Sequence, residues 1–174
     1  MAVEHPSVPG YCDADHTRGG AVPELIHELD VHADLTADDV GPGPFGQRVV
    51  VNVTGGHVAG DKLKGSIVGA SGDWLLIGAD GFGRLDVRFT LKTVDEANIY
   101  VQYYGVTELT PAAQEILGGG GAPINYGDQY YFTNPRLETG DERYAWVNQT
   151  VFIGEGRLLP GPAVEYRVYR VANS

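Results

Sequence analysis

A single cysteine, Cys12, rules out an internal disulfide. The chain of 174 residues is long enough to bury one core without such staples, so one domain is the default. Lysine is scarce as well: only Lys62, Lys64 and Lys92 occur, the arginines are scattered, and the formal net charge is −11. That balance excludes a phosphate-binding surface for nucleic acid, which needs clustered Lys and Arg. It also excludes an anionic membrane surface as partner. No run approaches the roughly 18 apolar residues of a membrane-spanning helix. The start, Met1-Ala2-Val3-Glu4-His5-Pro6, lacks the basic region and apolar run of a signal peptide. The expectation is a cytoplasmic protein, in which the sequons at Asn52 and Asn148 are chance matches. No Gly-x-Ser-x-Gly elbow is present.

What the chain has is alternation. In the stretch 80–106, Leu85, Val87, Phe89 and Leu91 alternate with Asp86, Arg88, Thr90 and Lys92. After a short turn at 93–97, Ile99, Val101 and Tyr103 alternate with Tyr100, Gln102 and Tyr104. Period two is the mark of pleated strands with unlike faces. This hairpin has one apolar face and one rich in hydrogen-bonding groups, and the function turns on whether the second faces solvent or a cavity.

The same pattern marks strands at 24–34, 47–54, 63–69, 73–78, 130–138, 144–154 and 164–171, giving about nine in all. Turns are read at 38–46, Gly55-Gly56, 70–72, 137–143 and 154–162. One helix is signalled after Thr110, which can cap it, with Pro111 at its first position and Gly118 at its end. Glycines 118–121 form a loop with no phosphate-binding context: no strand leads in, and no Lys-Ser/Thr or helix follows. Many short strands with Gly-rich turns point to a sandwich or barrel. Residues 1–22 carry no periodicity and read as an extension to a domain over 23–174. Within that extension Cys12, Asp13, Asp15 and His16 match no zinc spacing. His27 and His32 fall on opposite faces of the first strand, so no metal is expected.

Spaced residues along most of the chain resemble the DUF3237 (UPF0311) family. They are Gly55-Gly56, Gly60, Gly65, Gly72-Asp73-Trp74, Asp80-Gly81, Asp86-x-Arg88, Tyr144-x-Trp146-x-Asn148, Phe152 and Gly156. The resemblance covers roughly 25–171 and implies an all-β fold: an antiparallel, lipocalin-like β-barrel of about 8–10 strands with one short helix, often oligomeric. It implies no activity. One departure stands out: the hairpin turn reads Asp95-Glu96-Ala97, where the family often has Asp-Gly. The glycine that tolerates positive φ is missing, so a different turn is expected.

Candidate site residues follow from the same alternation. Asp86 and Arg88 share a face about 7 Å apart along the strand. They form either a surface ion pair or a ligand-binding pair, and membership of the family pattern favours the second. Arg88 beside it holds Asp86 ionised, so Asp86 suits anchoring a ligand more than moving a proton. Asp73, ahead of Leu75-Leu76-Ile77, is either a turn residue or a buried carboxyl of raised pKa fit for acid–base work. Tyr144, Trp146 and Asn148 read as one strand face, either core or cavity wall, and Tyr144 as an oxyanion donor. Trp74, Tyr100, Gln102, Tyr104 and, more weakly, Glu138 complete the candidate lining. The expected function is an enzyme working on a small organic molecule in the barrel by acid–base chemistry, with no cofactor. Isomerisation, cyclisation, elimination and hydration all fit. The alternatives are a non-catalytic carrier of a small hydrophobic ligand and an assembly module, and a homo-oligomer is expected.

Overall fold

The computed structural model describes residues 22–174, so the extension with Cys12, Asp13, Asp15 and His16 lies outside the described residues. Nine antiparallel strands run in chain order: β1 (Glu24–Gly43), β2 (Gly46–Gly60), β3 (Lys64–Ile77), β4 (Phe82–Thr93), β5 (Asn98–Glu108), β6 (Tyr131–Thr133), β7 (Arg136–Glu138), β8 (Phe152–Leu159) and β9 (Ala163–Ala172). Helix α1 (Pro111–Leu117) follows β5, and a 3-10 helix spans Glu142–Gln149. The sheet order is β4-β3-β2-β1-β9-β8-β6-β5, and β4 also pairs with β5. The sheet therefore closes on itself as a barrel, with β7 paired to β5 beyond β6. Closure removes the free edges an open sheet would leave.

Inward residues come from the alternating apolar sets. Leu29, Val31 and Ala33 of β1, Leu85, Val87, Phe89 and Leu91 of β4, Ile99, Val101 and Tyr103 of β5, and Val164, Tyr166 and Val168 of β9 join one core. Each fully buried Leu, Val or Phe stabilises by about 1.5–3 kcal/mol.

Several strands run longer than the sequence suggests, because glycine bends strands here rather than ending them. The Pro/Gly stretch 38–46 is mostly hairpin: β1 continues to Gly43 and pairs with Gly46. Gly55-Gly56 lies inside β2, and residues 70–72 lie inside β3, each within a bulge. At the second of these Gly69 has φ 70°, a conformation open to glycine without steric cost. The segment 154–162 is likewise strand to Leu159, with the turn confined to 160–162. The run 130–138 is two short strands, interrupted at Asn134-Pro135. Helix α1 matches its sequence signals: Thr110 Oγ1 accepts from the Ala113 N–H at 3.1 Å, and Pro111 stands at the first position.

The largest correction is at 144–154. Residues Glu142–Gln149 form the 3-10 helix, not a strand. Asp141 caps it by accepting from the Arg143 N–H at 3.0 Å, and Tyr144 and Val147, three apart, supply its buried side. Tyr144, Trp146 and Asn148 therefore do not share a sheet face.

Candidate active site

The polar face of the β4–β5 hairpin looks outward. Leu85, Val87, Phe89 and Leu91 are buried, which by alternation turns Asp86 and Arg88 to the outside. Arg88 Nη1 lies 3.1 Å from Asp86 Oδ1, both side chains about one-third exposed. Across β5, Asp86 stands opposite Tyr104, Arg88 opposite Gln102, and Tyr100 opposite Glu138 of β7. Gln102 Nε2 donates to the Tyr104 hydroxyl at 3.3 Å, and Glu138 pairs with Arg136 at 3.0 Å. Trp74 is also outside, with the Arg88 guanidinium 5.3 Å from its ring centre. The structure thus gathers Asp86, Arg88, Trp74, Tyr100, Gln102, Tyr104 and Glu138 on one wall, but on its solvent side.

The remaining candidates lie on the 3-10 helix, away from that wall. The Tyr144 hydroxyl donates to Asp95 Oδ1 at 2.8 Å. Trp146 packs edge-on against Phe152 with the Lys62 ammonium 5.2 Å from its ring centre. Asn148 clamps the Thr139 backbone, accepting from its N–H and donating to its carbonyl, both at 2.9 Å. These contacts fasten the 3-10 helix to the hairpin turn and barrel base. His27 and His32 stand on the same, outer side: His27 bonds Asp30 at 3.0 Å, and His32 bonds Asp34 at 3.2 Å and Glu165 at 3.3 Å. The register shift between His27 and Leu29 breaks the alternation that would separate them. Among the described residues no three His, Cys, Asp or Glu side chains are arranged to hold a metal ion.

Asp73 is the exception. It stands just after the β3 bulge, in register with Val51 of β2 and Val87 of β4, both inward residues. It is 8% exposed. The β3–β4 ladder is open between the Asp73–Val87 and Leu76–Arg84 pairs, and the Asp86 N–H donates to Asp73 Oδ1 at 2.9 Å instead. Burial pushes the Asp73 carboxyl up to about 6 against that bond, with the nearby Asp86 charge raising it further and Arg48 lowering it.

Asp73 borders an internal cavity of about 60 Å³, otherwise walled mostly by aliphatic side chains such as Val51, Leu75, Val87 and Val164. Its other polar groups are Thr107 and three tyrosines, Tyr103, Tyr131 and Tyr166. The Tyr131 and Tyr166 hydroxyls are 2.6 Å apart, and the Tyr103 ring lies edge-on to Tyr166 at 5.5 Å. Burial raises all three phenols, so they stay protonated and able to donate at neutral pH. Beyond Val51, Leu75, Leu109 and Leu117 the cavity gives way to a wider recess of about 470 Å³, bordered by Gln47 and by Gln114 of α1.

These tyrosines were not among the sequence candidates. Tyr103 reads as part of an apolar face, which it is. Tyr166 shares its face with Val164 and Val168, and Tyr131 with Thr133, and a hydroxyl inside an inward-facing row was the available signal.

A family model described as "Protein of unknown function (DUF3237)" matches residues 23–171. The chain belongs to the DUF3237 family. A UPF0311 protein of Rhodopseudomonas palustris strain TIE-1 is 30% identical over 122 residues, covering 70% of this chain and 77% of that protein. A Penicillium roqueforti protein called PR-toxin biosynthesis cluster protein 7 is 23% identical over 157 residues, covering 79% and 84%. Among solved structures, a β-barrel-like protein of Acinetobacter baumannii aligns with TM-score 0.72 at 27% identity, covering 87% of this chain and 97% of that one. A conserved Rhodopseudomonas palustris protein aligns with TM-score 0.78 at 24% identity, covering 87% and 99%. A structure described as an enzyme from Penicillium herquei aligns with TM-score 0.60 at 21% identity, covering 86% and 95%. The barrel is therefore the fold of this DUF3237 chain and of its relatives, while Asp73 and the tyrosines are read from this chain's own geometry.

Proposed function

We propose that this DUF3237 protein is an enzyme that moves a proton on a small, largely apolar organic molecule held in the wider recess, with its reacting end reaching the inner cavity at Asp73. Asp73 is the base and a buried tyrosine hydroxyl the partner acid. The observation that carries this reading is one carboxyl of raised proton affinity sharing a mostly aliphatic cavity with three protonated phenols. A base works best when its pKa lies near the working pH, and about 6 meets that condition. Above pH 6 Asp73 is ionised and accepts a proton. A phenol then donates to the oxygen on which charge develops, in a site that excludes water. Isomerisation, cyclisation, elimination and hydration all use this pair. The description of one relative as a biosynthesis cluster protein and of one structural neighbour as an enzyme supports a catalytic role. Asp86 and Arg88, on the outer side of the wall, do not touch such a substrate.

The test is proton exchange. Neutral unsaturated ketones and phenols are incubated with the protein in D2O, and deuterium uptake or product formation is followed by NMR. The expected result is turnover of at least one compound, falling about a hundredfold or more in Asp73→Asn. Turnover that survives Asp73→Asn overturns the assignment. Saturable binding with no exchange across the panel overturns catalysis and makes the protein a carrier.

A further inference from the structure

This inference rests on the reading of Asp73 as the titrating group, and it concerns the motif residues that reading left outside the wall. Asp86, Arg88 and Trp74 border no part of the inner cavity. Yet Asp86 and Trp74 adjoin Asp73, and Arg88 is one contact further out. The Asp86 N–H holds Asp73 Oδ1 at 2.9 Å. The Arg88 guanidinium reaches in two directions, to Asp86 Oδ1 at 3.1 Å and to the face of the Trp74 ring at 5.3 Å. Trp74 follows Asp73 in the chain, and its carbonyl accepts from Arg48 Nη1. One outer cation therefore ties together the two backbone segments between which the inner carboxyl is held.

We propose that Asp86, Arg88 and Trp74 are positioning residues that act through the barrel wall. The Asp86–Arg88 pair sets the field at the Asp73 carboxyl, and the Arg88–Trp74 stack fixes the strand that aims it. Neither half of the pair needs to meet a substrate. This accounts for two family-pattern motifs, Gly72-Asp73-Trp74 and Asp86-x-Arg88, lying side by side on β3 and β4.

The charges facing Asp73 are few. From β4 the Asp86 carboxylate favours the protonated form of Asp73, and from β2 Arg48 favours the ionised form. From β5, β6 and β9 come Tyr103, Tyr131 and Tyr166, whose phenols are neutral at neutral pH. Arg88 does not reach Asp73 but lies 3.1 Å from Asp86 Oδ1, so on this proposal it acts by offsetting the Asp86 charge. The two members of one ion pair must then act on Asp73 with opposite sign. Loss of structure alone does not do that.

The experiment is a carboxyl 13C NMR titration of Asp73 in the full chain, with no substrate required. In the unmodified protein a midpoint near 6 is expected. Asp86→Asn removes a like charge and lowers the midpoint by about half a pH unit. Arg88→Met leaves Asp86 unopposed and raises it by about as much. The double variant returns close to the starting value, and Arg88→Lys, which keeps the charge, stays close to it throughout. Single variants that both leave the midpoint unchanged, or move it in the same direction, overturn the proposal. Should Arg88→Met fail to fold, Asp86→Asn decides: an unchanged or raised midpoint overturns, a lowered one supports. A midpoint near 4 in the unmodified protein is a different failure. It removes the raised carboxyl itself and with it the reading of the active site.

Discussion

The two sides of the β3–β4–β5 wall carry polar groups in opposite ways. Outside, Asp86, Arg88, Gln102, Tyr104 and Tyr100 pair with one another in contact with water. Such exposed pairs contribute little, about 0–1 kcal/mol each. Inside, a single carboxyl and a few hydroxyls stand among aliphatic side chains. The outer side has many polar groups, paired and solvated; the inner side has few, and burial raises their proton affinity. What raises the proton affinity of a carboxyl here is the surrounding apolar wall more than the number of polar neighbours.

The strongest way to break that contrast is to disturb the inner wall by one carbon. A Cβ on Gly156 of β8 meets three ring atoms of Tyr131 at 2.8–2.9 Å, closer than packed atoms tolerate. The Tyr131 ring is buried and its hydroxyl bonded to Tyr166, so it has little freedom to withdraw. Gly156→Ala is expected to destabilise by about 2–3 kcal/mol, read from urea unfolding. A loss under about 0.5 kcal/mol would mean that the tyrosine pair is loosely held.

Next in size is the cost of the buried carboxyl. Asp73 in the folded chain binds its proton more tightly than in the unfolded one, where its pKa is about 4. Its contribution is therefore fully present below pH 4 and is lost as pH rises through about 6. Asp73→Asn keeps an oxygen to accept from the Asp86 N–H and removes the charge. The variant is expected to be more stable than the parent by about 2–3 kcal/mol at pH 8 and nearly equal to it at pH 4. A stability difference that does not change with pH between 4 and 8 contradicts the raised carboxyl. With the exchange experiment this gives a signature of function set against stability: the same change stabilises the protein and removes its turnover.

How much of this was legible follows from which signals are local. Alternation separated the apolar from the polar rows of β4 and β5, and the Thr110-Pro111 start marked α1, because each depends on neighbouring residues only. Which side of the hairpin is inside was open in the sequence. Closure of the barrel decides it, and β4–β5 closure joins strands on opposite ends of the sheet order. Glycine misled at Gly55-Gly56 and at 70–72, since a bulge and a turn ask for the same residues while only the first keeps the strand going. The 3-10 helix was missed because Tyr144, Trp146 and Asn148 satisfy period two by accident. The capping Asp141 and the spacing of Tyr144 and Val147 were the signals that counted. Asp73 was legible as a residue preceding an apolar run, but its tyrosine partners come from β5, β6 and β9, brought together only by the fold.

The smallest expected effect lies in the hairpin turn, where the sequence departs from the family. The missing glycine does not change the left-handed step. Glu96 itself takes φ 72°, the one described non-glycine residue that does so. The turn holds it there from both sides: Thr93 N–H donates to the Ala97 carbonyl at 2.9 Å, Glu96 N–H to the Thr93 carbonyl at 3.0 Å, and Ala97 N–H to Thr93 Oγ1 at 2.8 Å. A left-handed residue with a Cβ costs about 1–2 kcal/mol, and glycine gives part of that back as lost unfolded-state entropy. The Glu96 carboxylate also pairs with Lys92, but its side chain is mostly exposed, so that contact offsets little. Glu96→Gly is expected to stabilise by about 0.5 kcal/mol, a rise of about 1–2 °C in Tm, without moving the Asp73 titration. A fall in Tm would mean that the Lys92 pair outweighs the backbone strain. A shifted Asp73 midpoint would mean that the turn, at the far end of β4, communicates with the inner carboxyl, and the division between a tolerant outside and a sensitive inside would not hold.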